Sequence, residues 1–266
     1  MKDKLYVFIT FGLIVGLLIH NVNTALAQGS ENRISRYNVI WNSASKDATG
    51  VMPIGNGDIA AGVYAIENGD LYLLRAKNYA DTDRVDWVKT GRVRVSLKPN
   101  PFKAGKPFRQ ILDLATGSIL IEADRVTLRI WADANHPVFH IEINSPNEIA
   151  VTAQSDLWKR IDHTVFNVTD YYTALGGWQP DAEPTQDVRM ETESKILWYF
   201  PVGDRSIYAD DLKYYNVGQM SSKFPDPFRF NTFGNLLECS QLSLTGGILA
   251  GKGKTFDIRI HALTMQ

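Results

Sequence analysis

Three closely spaced carboxylates are the first candidates for chemistry in this sequence. Asp81, Asp83 and Asp86 lie between two β-favouring segments, and side-chain oxygens of this kind can bind a cation. The stretch lacks the glycine and the terminal glutamate of an EF-hand loop. Glycoside hydrolysis needs two carboxyl groups facing each other across a sugar, and the sequence does not indicate such a pair. A solvated loop is the simpler interpretation, and we assign no catalytic residue, metal ligand or cofactor.

The histidine and cysteine residues also favour structural roles. His136 and His140 are four residues apart, a spacing that presents two imidazoles on one face of a helix. Pro137 and the surrounding β pattern break that geometry, so we expect one histidine in a loop and one in a strand. Cys239 is the only cysteine. It cannot form an internal disulfide, and we expect it to be a small, buried apolar side chain.

The stretch from Met52 to Tyr64 combines a polar turn with an apolar run. Gly55 and Gly57 permit backbone angles that other residues avoid, and Asn56 and Asp58 can cap a turn through their side chains. If the turn lies at the rim of a β-scaffold, the same two polar side chains can hydrogen-bond to sugar hydroxyls. Turn formation alone, and a rim position that faces a sugar or another domain, both remain open for them.

Aromatic residues concentrate in the segment 156–187. Trp158 and Trp178, with Tyr171 and Tyr172 between them, can stack on pyranose rings, because flat apolar side chains suit the C–H-rich faces of sugars. Packing in the core or against another domain is the alternative. The predicted carbohydrate-binding residues are therefore Asn56, Asp58, Trp158 and Trp178.

The elements that must position these residues are short β-strands. Alternating apolar and polar residues at Val93–Leu97 are typical of a half-buried strand, and Asn68-Gly69 predicts a hairpin turn. Strands are predicted at 37–41, 59–64, 71–74, 93–97, 108–114, 118–122, 126–131, 139–143, 150–153, 196–200 and 256–263. A short helix is predicted at 208–220, and loops at 78–90, 99–107, 156–187 and 224–235. The pattern predicts an all-β, mainly antiparallel fold, a large β-sandwich with long loops and one or two short helices.

The N-terminus has the three-part pattern of a secretory signal peptide. A charged start at 1–4 precedes an uncharged apolar run at 5–19, and Ala25-Leu26-Ala27 predicts cleavage between Ala27 and Gln28. An uncleaved anchor is the alternative, although the apolar run is shorter than the ~20 residues that span a bilayer. We expect an exported protein, periplasmic or extracellular, that has no membrane contact after cleavage.

The remaining chain has the length of one large all-β domain. We divide the sequence into a signal peptide at 1–27, a disordered lead-in at 28–36 and a β-sandwich domain at 37–266. The net charge is -1, and acidic and basic residues alternate without a basic stripe. Nucleic acid is therefore not a predicted partner.

A series of short phrases in the sequence resembles one family. These phrases are Tyr37 to Trp41, Met52 to Asp58, Gly91 to Val95, Phe108 to Leu114, Trp131 to Pro137 and Phe230 to Gly234. Together they resemble the N-terminal domain called domain of unknown function 5703, which occurs in exported proteins, mostly of polysaccharide-degrading bacteria. They are also similar to the N-terminal β-sandwich of glycoside hydrolase family 95, the inverting α-L-fucosidases. That family has Pro-Leu-Gly-Asn-Gly and Arg-x-Leu-Asp-Leu phrases where this chain has 53–57 and 109–114, the latter with one extra residue.

This resemblance implies a non-catalytic module that braces an (α/α)6 barrel absent from this chain. In such enzymes the barrel carries the general acid and the residues that position the attacking water, so no catalytic residue is transferred to this sequence. The implied partners are a carbohydrate and the C-terminal barrel. A free-standing carbohydrate-binding protein and a purely structural or interaction domain are the alternatives. The sugar and its linkage are not implied, because a shared fold is not evidence of substrate.

Overall fold

A computed structural model describes residues 33–77, 88–156, 188–201, 204, 207–226 and 229–265. Within them, fourteen strands form one sheet whose strand pairs are antiparallel. The strands are β1 (Val39–Trp41), β2 (Met52–Gly55), β3 (Ile59–Ala65), β4 (Asp70–Lys77), β5 (Val88–Lys98), β6 (Phe108–Asp113), β7 (Ser118–Ala123), β8 (Val126–Ala132), β9 (Val138–Asp156), β10 (Val188–Thr192), β11 (Lys195–Pro201), β12 (Thr232–Glu238), β13 (Ser243–Thr245) and β14 (Ile248–Met265). Helix α1 spans Ile207–Tyr214, and 3-10 turns span Ser35–Tyr37, Ala48–Gly50 and Gly218–Ser222.

Several sequence predictions fall outside the described residues. These are the signal peptide with its cleavage site at Ala27 and Gln28, the carboxylates Asp81, Asp83 and Asp86, and the aromatic residues Trp158, Tyr171, Tyr172 and Trp178. None of the helices in the described ranges is long and apolar enough to cross a membrane.

Two long strands, β9 and β14, build the sandwich because each contributes to both of its layers. The first part of β9 pairs with β8 through residues 139–144, and its second part pairs with β5 through residues 150–156. β14 runs beside β9 along both parts, with a shift of register between Gly253 and Thr255. One layer has the order β1-β6-β7-β8-β9-β14-β12-β11-β10, and β2, β3, β4, β5 and β13 complete the other. The predicted all-β antiparallel class is confirmed.

The core lies between the layers and follows the period-two alternation of strand side chains. The predicted inner face of the last strand is confirmed, since Phe256, Ile258, Ile260 and Ala262 are all buried. Each fully buried Ile contributes about 1.5–3 kcal/mol of transfer free energy. Cys239 is also buried, as predicted, and this burial raises the pKa of its thiol.

The structure corrects the predictions for the residues of β9 and β12. Residues 139–143 and 150–153 belong to a single 19-residue strand, because its polar, exposed middle at 146–148 is the bend between layers and not a loop. The predicted loop 224–235 was wrong from Thr232 onward, where β12 begins. Gly234 there serves close packing, since a Cβ would lie 3.1 Å from the Tyr199 Cβ.

Other local predictions are corrected in detail. β10 was not predicted, and β5 begins at Val88, inside the predicted loop 78–90. The turn at Asn68-Gly69 forms as expected, with Gly69 at φ +100°. Asn68 contributes through its side chain, whose Oδ1 accepts from the backbone N–H of Asp70 at 2.9 Å.

A polar contact joins the layers inside the core. Arg75 on β4 is buried, and its guanidinium donates to the Asn235 Oδ1 on β12 and lies 5.3 Å from the Trp198 ring centroid on β11. Burial lowers the pKa of Arg75 to about 9. Gly91 lies opposite Arg75 on β5. Because Gly91 has no side chain, Trp198 can approach the β5 backbone.

We expect Gly91→Ala to lower the free energy of unfolding by about 2–4 kcal/mol. A Cβ at this position would lie 3.2 Å from the Trp198 Nε1 and 3.3 Å from the Asp156 carbonyl oxygen, at a φ of +103°. Gly117→Ala is the control, because Gly117 also has positive φ but nothing within 4 Å of the added Cβ. Urea unfolding monitored by tryptophan fluorescence measures both variants, and equal losses would contradict the packing role of Gly91.

Candidate functional site

The Met52–Tyr64 stretch forms β2, a tight turn and most of β3, and Asn56 in this turn links the two layers. Its Nδ2 donates to the carbonyl oxygens of Asp133 at 2.7 Å and His136 at 3.1 Å, both in the β8–β9 connection. Its Oδ1 accepts from the backbone N–H groups of Asp58 and Ile59, each at 2.9 Å. These four bonds occupy both amide hydrogens and both acceptor positions of the oxygen.

The geometry of Asn56 supports turn formation as its role. A sugar contact through this amide would have to replace one of its four bonds within the protein. Asp58 lies exposed at the same turn, next to Gly57 with a φ of +96°. Trp158 and Trp178 lie outside the described residues, so the structure does not relate them to Asn56 and Asp58. Carbohydrate binding by these four residues stays a prediction.

Asp133 stabilises the β8–β9 connection, whose carbonyl oxygens accept the hydrogen bonds from Asn56. The Asp133 Oδ1 accepts from the backbone N–H groups of Asn135 at 2.8 Å and His136 at 3.0 Å, and the His136 Nδ1 lies 3.1 Å from it. The hydrogen bonds from Asn135 and then from His136 lower the pKa of Asp133. His136 lies in a loop and His140 lies in β9, as predicted.

A row of charged and aromatic side chains crosses the outer face of the larger layer. By register, Lys195, Glu238, Arg259, His140 and Trp131 follow one another across β11, β12, β14, β9 and β8. Glu238 lies 2.9 Å from the Lys195 Nζ and 3.0 Å from the His261 Nε2. The His140 ring stacks on Trp131 with centroids 3.9 Å apart and planes within 2°.

The side chains of this row, which we call the charged row, stabilise neighbouring strands against one another. The hydrogen bond from Lys195, followed by that from His261, lowers the pKa of Glu238, so the carboxylate is held ionised. Among the described residues, no cluster of three or more His, Cys, Asp or Glu side chains is placed to hold a metal ion. Sequence reasoning missed the row because its members come from five distant segments, and only strand alternation indicated that they face solvent.

One group of exposed apolar side chains lies near the last residues of β14, and another lies at 34–41 and Leu114. Leu263 and Met265 are 41% and 69% exposed, and Phe230, two residues before β12, is 59% exposed. Leu263 lies in one cross-strand row with Gly234, Tyr199 and Val188, and Met265 lies beside Thr232. We call Val188, Met190, Phe230, Leu263 and Met265 the terminal patch. The sequence did not reveal it, because 224–235 was interpreted as a loop and no element was predicted at 188–192.

The phrases that carry the family resemblance have structural roles. In the phrase at 53–57, Ile54 is buried and Asn56 links the layers. In the phrase at 109–114, Gln110 is buried. Asp113 accepts hydrogen bonds from the Thr116 hydroxyl at 2.6 Å and from the Asn38 Nδ2 at 3.2 Å. The hydrogen bond from Thr116 is the largest cause that lowers the pKa of Asp113.

Comparison with known proteins identifies one family match. The family model described as "Domain of unknown function (DUF5703)" matches residues 40–262, a range that reaches from β1 into β14. No curated protein matches the chain.

We expect Asn56→Ala to lower the free energy of unfolding by about 2–4 kcal/mol, because four hydrogen bonds are lost and two carbonyl oxygens lose a donor. Asn56→Asp should also destabilise, since a carboxylate would face the carbonyl oxygens of Asp133 and His136. Asn135→Ala, an exposed position in the β8–β9 connection, is the control and should be nearly neutral. Chemical denaturation measures all three, and a wild-type midpoint for Asn56→Ala would refute the link.

The Glu238 ion pairs predict a pH-dependent contribution to stability. Because the pKa of Glu238 is lowered in the folded state, its contribution is present above the unfolded-state value of about 4.3 and is lost as the pH falls through the folded-state pKa. Glu238→Gln should therefore be less stable than the wild type above the unfolded-state pKa, and the difference should shrink as the pH falls below it. Unfolding free energies measured from pH 7 to 3 test this, and a gap that stays constant throughout would argue against it.

Proposed function

The chain belongs to the family described as Domain of unknown function (DUF5703), and we propose that it is the non-catalytic β-sandwich module of an exported glycoside hydrolase-like protein. In this proposal the protein acts in glycan degradation, and the module braces an (α/α)6 catalytic barrel that lies outside this sequence. The similarity of residues 53–57 and 109–114 to phrases of glycoside hydrolase family 95 supports it. The signal-peptide pattern at 1–27 supports export.

The terminal patch is the observation that carries the proposal. Its side chains are large and apolar, and by strand register Leu263, Tyr199 and Val188 lie in one row on the outer face of the sheet. Large exposed apolar side chains on one face of a domain can mark an interaction site. Met265, the last residue described in β14, lies within the patch.

Four carboxylates of the described residues hold turns and strands together, which supports a bracing role more than catalysis. Asp113 and Asp133 accept hydrogen bonds within turns, Glu238 is paired with Lys195 and His261, and Asp156 lies 2.7 Å from the Arg92 guanidinium. A general acid in a glycosidase needs a raised pKa. The pKa values of Asp113, Asp133 and Glu238 are instead lowered from the ordinary values of these groups.

Methionine oxidation tests the bracing role directly. Met265 lies in the terminal patch, and Met220, 41% exposed in the 3-10 turn Gly218–Ser222, lies outside it. In the isolated chain both methionines should oxidise readily with hydroxyl radicals, as read by mass spectrometry. In a protein that extends through the following region of the gene, the oxidation of Met265 should be several-fold slower, whereas the oxidation rate of Met220 should stay the same.

Leu263→Asp provides the matched variant for this experiment. Leu263 is exposed in the isolated chain, so the substitution should leave the melting temperature of that chain nearly unchanged. In the longer protein it should restore fast oxidation of Met265, because a charge would be buried at the interface. Equal Met265 rates in the isolated chain and the longer protein, or a gene that ends at residue 266, would overturn the proposal.

A further inference from the structure

β10 ends the strand order of the larger layer, and among the described strands it pairs only with β11. Such a strand presents a row of backbone donors and acceptors to any chain that can pair with it. The two residues between Thr192 and Lys195 form a tight turn, and the residues that flank such a turn are expected to be a hydrogen-bonded pair. By alternation, Arg189 and Glu191 then direct their backbone groups away from β11.

The side chains of β10 are complementary to a second copy of the same strand. In an antiparallel pairing centred on Met190, Arg189 of each copy lies opposite Glu191 of the other, and Met190 lies opposite itself. Opposite charges facing each other across two strands stabilise the pair. Val188 and Met190, which are exposed on the outer face, would continue the apolar surface from one copy into the next.

We propose that this protein forms a two-fold symmetric dimer in which β10 pairs antiparallel with β10 of a second copy, centred on Met190. The interface is isologous, so each contact off the two-fold axis occurs twice and the assembly closes at two subunits. Arg189 now contacts Glu191 of its own strand, with the Arg189 Nε 2.6 Å from the Glu191 Oε1. The Arg189 Nη2 also donates to the Gly247 carbonyl oxygen in the β13–β14 turn. Both side chains therefore lie together on one face of β10 beside that turn, and the same two side chains of the second copy would lie on the same face.

The dimer does not depend on the proposed bracing role. Strand pairing uses the backbone edge of β10, whereas bracing uses the outer face of the sheet. Val188 and Met190 belong to the terminal patch as well, but the pairing requires only their backbone positions in β10. A dimer found without a catalytic barrel would support the pairing and not the bracing role. A barrel found without a dimer would support the bracing role and not the pairing.

Engineered cysteines test the register. The only native cysteine, Cys239, is buried, so new thiols can be read without interference. Met190→Cys should form a disulfide-linked dimer under mild oxidation, because the two Cα atoms at the centre of the pair would lie about 4.5–5.5 Å apart. Thr192→Cys alone should stay monomeric on a non-reducing gel, whereas Val188→Cys combined with Thr192→Cys should cross-link. Met220→Cys, exposed and outside β10, controls for random collision.

Charge variants test the same pairing without cysteines. Arg189→Glu should weaken the dimer about tenfold in light-scattering dilution series, because it places like charges opposite each other twice. Arg189→Glu combined with Glu191→Arg should restore the wild-type affinity, and circular dichroism confirms that each variant is folded. A monomer at every concentration, or equal cross-linking of Met190→Cys and Met220→Cys, would overturn the proposal and indicate that another part of the chain covers the β10 edge.

Discussion

The register between β9 and β14 is the constraint on which the rest of this structure depends. Both strands pass from one layer of the sandwich into the other, and they stay paired on both sides of the bend. β5 joins β9 only after the bend, and β12 joins β14 only after the shift between Gly253 and Thr255. A slip of one residue would turn Ile141 and Ile258 toward solvent together with every inward neighbour. The position of the bend therefore determines which strands face each other across the core.

Polar groups reinforce this arrangement at the places where apolar packing cannot. Asn56 ties the β2–β3 turn of one layer to the β8–β9 connection of the other, and Arg75 reaches across the core to Asn235. On the outer face, Glu238 is held by Lys195 and His261. These groups are engaged in holding strands and turns, which is what a scaffold requires. The exposed apolar side chains of the terminal patch, by contrast, are not engaged in holding strands, and this contrast favours a partner-binding role over chemistry.

Alternation of side chains predicted the class and much of the core from sequence. The face formed by Phe256 to Ala262 and the hairpin at Asn68-Gly69 are local patterns, and both were identified correctly. The continuity of β9 was missed because its exposed middle is polar, as a loop would be. Asn56 was recognised as a turn residue, but its partners lie some 80 positions away, and only the fold brings them within reach. The terminal patch and the charged row likewise depend on strand order, which no local pattern encodes.

The central claim is that this chain supports chemistry carried out elsewhere, and a paired hydrolysis assay tests it most directly. The purified chain and the protein extended through the following region of the gene would be incubated with the same panel of polysaccharides, and released reducing sugar would be measured. The account predicts release by the extended protein and none by the chain alone. Robust release by the isolated chain, abolished by substituting one of its own carboxylates, would contradict it.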